Sequence, residues 1–216
     1  MGKRVHRMLL GAGWAGRGRS VRLRLMVLAG IAAAPGCVPL DPAFDGPSND
    51  NSSRNDDGPT DVDLPDVAYC DRVSGAPSDQ VAFEDEVLEL VNAERARGAS
   101  CGDLGRFAPA DPVVSNAALR CAARNHSRDM AERGFFDHTN PDGEGPGERI
   151  ARTGYQPRTW GENIAFGQTS PRAVVDAWME SPGHCANVMN PAFTELGVGY
   201  EAGDYWTQVF GAPREP

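Results

Sequence analysis

The stretch from Val38 to Asp79 reads VPLDPAFDGPSNDNSSRNDDGPTDVDLPDVAYCDRVSGAPSD. Aspartate, proline, glycine, serine and asparagine dominate it, and large apolar residues are few. Such a segment cannot bury enough apolar surface to offset the entropy lost on ordering. The compact part of the chain must therefore come from residues 80–213. Residues 37–79 read as a disordered acidic tether, with Cys70 placed to tie its far end to the domain.

The residues ahead of the tether set the compartment. Residues 1–24 carry Lys3, Arg4, Arg7, Arg17, Arg19, Arg22 and Arg24 and no acidic residue. The apolar run LMVLAGIAAA (25–34) comes next, and then Pro35-Gly36-Cys37. A basic start, a short apolar core and a small-residue exit make residues 1–36 a secretory signal peptide. The apolar run falls short of the roughly 20 residues that span a bilayer. Cys37 directly after Gly36 resembles a bacterial lipoprotein cleavage site, which makes Cys37 a lipidated membrane anchor. Ala34 and Pro35 depart from the usual pattern there, so ordinary cleavage nearby is the competing reading. Val38 after the cysteine is compatible with outer-membrane sorting in a two-membrane bacterium. Either way the protein is exported, to the outer face of a bacterial membrane or beyond it.

Export changes the charge. The chain carries 21 basic and 30 acidic residues, and seven of the basic ones lie in the leader. The mature part has 14 against 30, a net charge of −16. That excludes nucleic acid as a partner and electrostatic adhesion to anionic lipid. Apart from Cys37, four cysteines remain: Cys70, Cys101, Cys121 and Cys185. An even number in an exported protein implies two disulfides, and the residues alone allow three pairings.

Beyond residue 80 the pattern becomes that of folded elements. VLELVNAERARG (87–98) has early acids, late arginines and Gly98 as a stop, an amphipathic helix with dipole-matched ends. A second helix runs from Ser115 to Arg133, stopped by Gly134. Its apolar stripe is Leu119, Ala122, Ala123, His126 and Met130, which makes His126 a core histidine. Cys121 points off that stripe, towards a flanking segment such as the one carrying Cys70. A third helix opens with Ser170 as N-cap and Pro171 as first helical residue. ELGVGYE (195–201) and DYWTQVFG (204–211) flank Ala202-Gly203 as a hairpin, and FFDHT (135–139) reads as a short strand. Helices with a few antiparallel strands make one α+β domain without internal repeats. Trp178, Trp206 and Phe210 read as core.

VNAERARG, NHSRDMA, FFDHTNPDG, GENIAFG, VVDAWMESPGHCANVMNP, ELGVGY and YWTQVFG occur in that order. Together they resemble the bacterial branch of the CAP superfamily of SCP-like extracellular domains, which includes cysteine-rich secretory proteins, venom antigens and plant pathogenesis-related proteins. The resemblance implies an α+β fold: a three-layer α-β-α sandwich with a small, mainly antiparallel sheet and a cleft on one side. It also implies a cleft with two His and two Glu, holding a divalent metal in some members. His138 and Glu162 match one of each. Ser181 stands where the second family Glu lies, and Tyr205 where the second family His lies. Bacterial members place a His in SPGH instead, here His184. Their SPGHC and early CG elements occur together, which implies Cys101–Cys185 and leaves Cys70–Cys121.

His138, His184 and Glu162 would suit Zn²⁺ with an open position for water. Without HExxH or a cysteine-pair motif, the residues favour a polar cleft that holds metal weakly or not at all and requires no cofactor. In SPGHCANVMNP, Ser181-Pro182 start a short helix, Cys185 is a disulfide half, and Asn190-Pro191 end it. His184 and Cys185 are sequential on that helix and do not face each other, while Asn187, at i+3, can orient the His184 ring. These residues allow two functions. In the first, an envelope module binds a lipid, glycan or peptide in a cleft of His138, Glu162, His184, Asn187 and Tyr205, without catalysis. In the second, a hydrolase uses Glu162 as general base, with His138 and His184 holding a metal or polarising the substrate. Nothing in the residues sets an oligomeric state. Non-reducing peptide mapping of exported protein should return Cys101–Cys185 and Cys70–Cys121, and any other pairing refutes the assignment.

Overall fold

The computed structural model describes residues 61–214; the signal peptide, Cys37 and the first part of the tether lie outside the described residues. In chain order come α1 (Ala68–Asp71), α2 (Ser78–Arg97), β1 (Ala99–Ser100), β2 (Arg106–Phe107) and β3 (Val114–Ser115). After these come α3 (Ala117–Arg133), α4 (Pro146–Arg152), β4 (Pro157–Phe166), α5 (Pro171–Glu180), α6 (Pro182–Met189), β5 (Glu195–Glu201) and β6 (Tyr205–Pro213). β1 and β2 form a small ribbon, and the main sheet has the order β3-β5-β6-β4. It is antiparallel except for the short parallel contact of β3 with β5. The expected hairpin is β5–β6, turned through Ala202, Gly203 and Asp204, the last at φ 66°. No helix among the described residues is long and apolar enough to cross a membrane.

Strand alternation distributes the side chains to two cores. Leu196, Val198, Trp206 and Phe210 meet α2, α5 and α6 on one face, with Trp178 and Val175 among them. On the other face Val209 packs with Leu119, Ala122 and Ala123 of α3 and Ile150 of α4. The result is the expected three layers. α3 lies close to the sheet. A Cβ on Gly197 would sit 2.0 Å from the Leu119 carbonyl carbon, and one on Gly199 would sit 2.3 Å from the Arg124 nitrogen. Ser127 fastens the seam, its hydroxyl donating to the Gly199 carbonyl at 2.9 Å and lying 2.8 Å from Thr207 Oγ1.

Several expected ends hold. Gly134 closes α3 in the left-handed conformation, while its start falls at Ala117 rather than Ser115, where Asn116 caps it by accepting from the Leu119 N–H. Ser170 accepts from the Ala173 N–H ahead of Pro171. Ser181 holds the N-cap position of α6, but its hydroxyl makes no capping bond. α2 is longer than expected and begins directly after Pro77. Its early turns escape the apolar pattern because Glu84 lies on the buried face between Val81 and Val87. Arg95 on the same face donates to the carbonyls of Asp111, Val188, Asn190 and Phe193, joining α2 to the end of α6.

Two expectations need correction. The tether does not run to Asp79: residues 61–77 lie folded against α3. Composition counts apolar residues, whereas this segment is held by other means. Cys70–Cys121 pins it, and Asp61 accepts from Arg124 Nη1 and Nη2 at 2.9 and 2.8 Å. Arg124 simultaneously binds the fully buried Glu84 at 2.6 Å. FFDHT is not a strand. Two of its carbonyls are taken by side chains, Asp137 by His126 and His138 by Arg149, and so cannot serve a ladder.

Gly199→Ala drives a methyl group into the α3 backbone. It should cost about 3 kcal/mol or more, beyond the usual range for overpacking. Denaturant unfolding measures this, and a loss below ~1 kcal/mol would mean that α3 can slide off the sheet without penalty.

Candidate functional site

β4 is an edge strand, paired only with β6. Its alternation sends Glu162 to the face covered by α3 and α4, and Asn163 to the opposite core. Glu162 is 7% exposed. Arg149 Nη2 donates to its two oxygens at 3.1 and 2.8 Å, and also to the His138 carbonyl at 2.9 Å. Arg149 Nη1 donates to the Glu144 carbonyl at 2.9 Å. His138 Nδ1 lies 2.7 Å from Glu162 Oε1. The three groups therefore form a chain, imidazole to carboxylate to guanidinium.

The hydrogen bond to Glu162, reinforced by its charge, raises the His138 pKa above the ordinary imidazole value. With Nδ1 turned to the carboxylate, Nε2 of the half-exposed ring is left outward, a donor when protonated and an acceptor when neutral. His126 acts from behind. Its Nε2 donates to the Asp137 carbonyl at 3.0 Å and so helps hold the loop that carries His138. Burial pushes the His126 pKa down to about 4, so the ring stays neutral near pH 7.

His184 sits in the first turn of α6. Burial, and then the charge of His138, lower its pKa. It makes no side-chain hydrogen bond to His138 or Glu162 among the described residues. Asn187 does not orient it either. Asn187 Nδ2 donates to the Glu162 carbonyl at 3.2 Å and to Asn163 Oδ1 at 2.9 Å, while Asn163 Nδ2 donates to the His184 carbonyl at 3.2 Å. Asn187 thus ties α6 to β4 and leaves the imidazole alone.

Beside this chain lies an apolar groove of about 320 Å³ between β4, α5 and α6. Ile164, Ala165, Ala177 and Trp178 line it, with Gln168, Ser181 and His184 as polar groups. Phe136 and Phe166, each 51% exposed, also line it with ring centroids 6.2 Å apart. The Tyr205 ring packs tilted against Phe166, centroids 4.5 Å apart, and extends the aromatic strip without lining the groove. Trp178 Nε1 donates to the Ile164 carbonyl at 3.3 Å, so a second β4 carbonyl is bound by a side chain.

The profile of the CAP, or cysteine-rich secretory protein, family matches residues 88–210, more than half of the chain. The chain belongs to the CAP family. Its CAP domain is similar to two Bacillus subtilis (strain 168) proteins. It is 41% identical over 138 residues to the uncharacterized protein YkwD, covering 63% of this chain and 50% of that one. It is 29% identical over 131 residues to the uncharacterized membrane protein YlbC, covering 61% and 35%. The chain thus spans half or less of the curated relatives it matches. Among solved structures, an extracellular protein containing a SCP domain from Bacillus anthracis superposes with a TM-score of 0.55 at 27% identity, covering 61% of this chain and 41% of that one.

The structure joins His138 with Glu162 and places His184 on the groove. Arg149 is the residue that single-sequence reading missed. In GERIAR it looks like a solvent-facing helical charge, and nothing in the pattern marks it as 2% exposed. Its presence alters the metal expectation. Both Glu162 oxygens and His138 Nδ1 are engaged within the chain of three, and a cation at Glu162 would meet the Arg149 charge. Glu162 is therefore not a free ligand, and among the described residues no three His, Cys, Asp or Glu side chains are grouped to hold a metal ion.

The raised His138 pKa has a definite sign in stability. Its pairing with Glu162 stabilises fully below the ordinary imidazole pKa and fades as pH rises through the raised value. The stability lost in His138→Gln should therefore be larger at pH 5 than at pH 9. Equal losses at both pH values would mean that the ion pair contributes nothing.

Proposed function

We propose that this CAP-family chain is an exported, lipid-anchored cell-envelope module. Its groove beside β4 binds the apolar part of an amphiphilic ligand, and His138 receives the polar end without chemistry. The observation that supports this most is the state of Glu162. A general base needs a free, positioned lone pair; the Glu162 oxygens are bound to Arg149 and His138. All four described cysteines are in disulfides, so none offers a thiolate nucleophile. The groove is apolar and open and carries two exposed phenylalanines, which suits hydrocarbon more than a glycan or a polar peptide. The lipid anchor at Cys37 would keep this groove near a source of such ligands.

The test uses a fluorescent acyl-chain probe and purified protein. Binding should saturate, and Phe136→Ala or Phe166→Ala should each weaken it about tenfold, the scale of one buried aromatic ring. Peptide, ester and glycan substrates should show no turnover. Turnover abolished by Glu162→Gln would overturn the proposal in favour of the hydrolase. Chelator sensitivity of that turnover would identify its metal-assisted form.

A further inference from the structure

One end of the β4 edge differs from the rest of the surface. Among the described residues, the arginine side chains are tied to carboxylates or carbonyls except those of Arg106, Arg158 and Arg214. Arg158 and Arg214 lie at the same corner of the sheet. Arg158 is the residue over which β4 slips against β6, between Pro157 and Thr159, and such a bulge turns a side chain out of the ladder. Arg214 follows Pro213, the partner of Pro157, and its N–H donates to the Gln156 carbonyl at 2.9 Å. Both arginines are exposed. Carboxylates of the neighbouring elements are engaged elsewhere: Glu148 with the Gly145 N–H at 3.0 Å, and Glu195 with Asn116 at 3.1 Å and with Tyr155. On a mature chain of net charge −16, this corner is locally cationic.

Trp160 stands two residues along from Arg158. It is 44% exposed, and its indole lies against Gly147 of α4, where a Cβ would meet Cζ2 at 3.4 Å and Nε1 at 3.9 Å. α4 thus holds the ring without covering it, and the indole N–H makes no hydrogen bond to another described residue. An apolar ring with a free donor, beside guanidinium groups, is the combination that sits at a membrane–water interface. Alternation turns Trp160 and Phe166 to the same side of β4, about 20 Å apart along the strand. Phe136 packs beside Phe166. Exposed aromatic rings therefore mark both ends of one edge, and the second end borders the groove. The backbone of this edge is a poor site for an added peptide strand, because Asn187 and Trp178 already hold the Glu162 and Ile164 carbonyls.

We propose that the β4 edge docks on a phospholipid bilayer. Trp160 enters the interface, Arg158 and Arg214 reach lipid phosphates, and Phe166 with Phe136 makes the second contact along the edge. The net charge of −16 opposes a strongly anionic surface, so the bilayer that fits is a largely zwitterionic one. Docking goes beyond the acyl-chain groove by naming the surface from which that groove would be filled. Its deciding residues, Trp160, Arg158 and Arg214, lie outside the groove, so it holds or fails separately.

The test uses the mature chain with Cys37→Ser, which carries no acyl anchor, and vesicles of phosphatidylcholine and phosphatidylethanolamine. Beyond the leader the chain has three tryptophans, and Trp178 and Trp206 are at most 1% exposed, so changes in emission report on Trp160. Vesicles should shift that emission to the blue, and bromine-labelled lipid should quench it. Trp160→Ala should weaken vesicle partitioning, read by co-sedimentation, about tenfold, and Trp160→Phe should keep most of it. Arg158→Gln/Arg214→Gln should weaken it several-fold. Val114→Ala, at an exposed apolar residue on the opposite edge of the sheet, should leave it unchanged. Inorganic phosphate and a soluble polyanion such as heparin should leave the emission unchanged. No blue shift with vesicles, partitioning unaffected by Trp160→Ala or by the arginine pair, or a response to heparin alone would each overturn the inference. Binding of monomeric acyl-chain probe without vesicle docking would overturn it and leave the groove reading standing; vesicle docking without probe binding would do the reverse.

Discussion

The close approach of α3 to β5 sets the geometry of the whole domain. Two glycines, Gly197 and Gly199, let helix and strand backbones meet where any side chain would hold them apart. Once α3 is seated, consecutive residues point in different directions and do different work. Cys121 and Arg124 hold the N-terminal segment, Ser127 locks the sheet, and His126 holds the loop that carries His138. A shift of this helix would move the N-terminal attachment and the cleft together.

Buried charge is the second organising theme. Arg95, Arg124 and Arg149 are each at most 2% exposed, and each serves as a multi-armed connector. Arg95 collects four carbonyls, Arg124 bridges Asp61 and Glu84, and Arg149 joins the His138 loop to β4. Guanidinium suits this task because its five donors fan out in a fixed plane and remain charged. Removing one partner from such a set strands the rest in a dry environment, so these contacts make the native arrangement specific.

Much of this was legible in the residues. The periodicity of α3, its Gly134 stop, the Ser170-Pro171 start of α5 and the β5–β6 hairpin depend on local chemistry, and local chemistry is visible along a single chain. Of the candidate site residues, His138 and Glu162 meet, while His184 makes no side-chain hydrogen bond to either among the described residues. What escaped involves polar residues in buried places. Glu84 concealed the first turns of α2, Arg149 looked like a surface charge, and Asp61 lay in a composition typical of disorder. In each case burial depends on a partner distant in sequence, 40 residues away for Glu84 and Arg124 and 13 for Arg149 and Glu162. Asn187 shows the same limit on a smaller scale, because its spacing from His184 allowed a contact that β4 took instead.

The side-chain bonds to the Glu162 and Ile164 carbonyls carry a consequence beyond the cleft. β4 borders the sheet, and a bare border of this length would be a template on which another chain could add a strand. Asn187 of α6 and Trp178 of α5 occupy two of its acceptors. The rim therefore offers an incoming strand fewer free acceptors than a bare edge of the same length would.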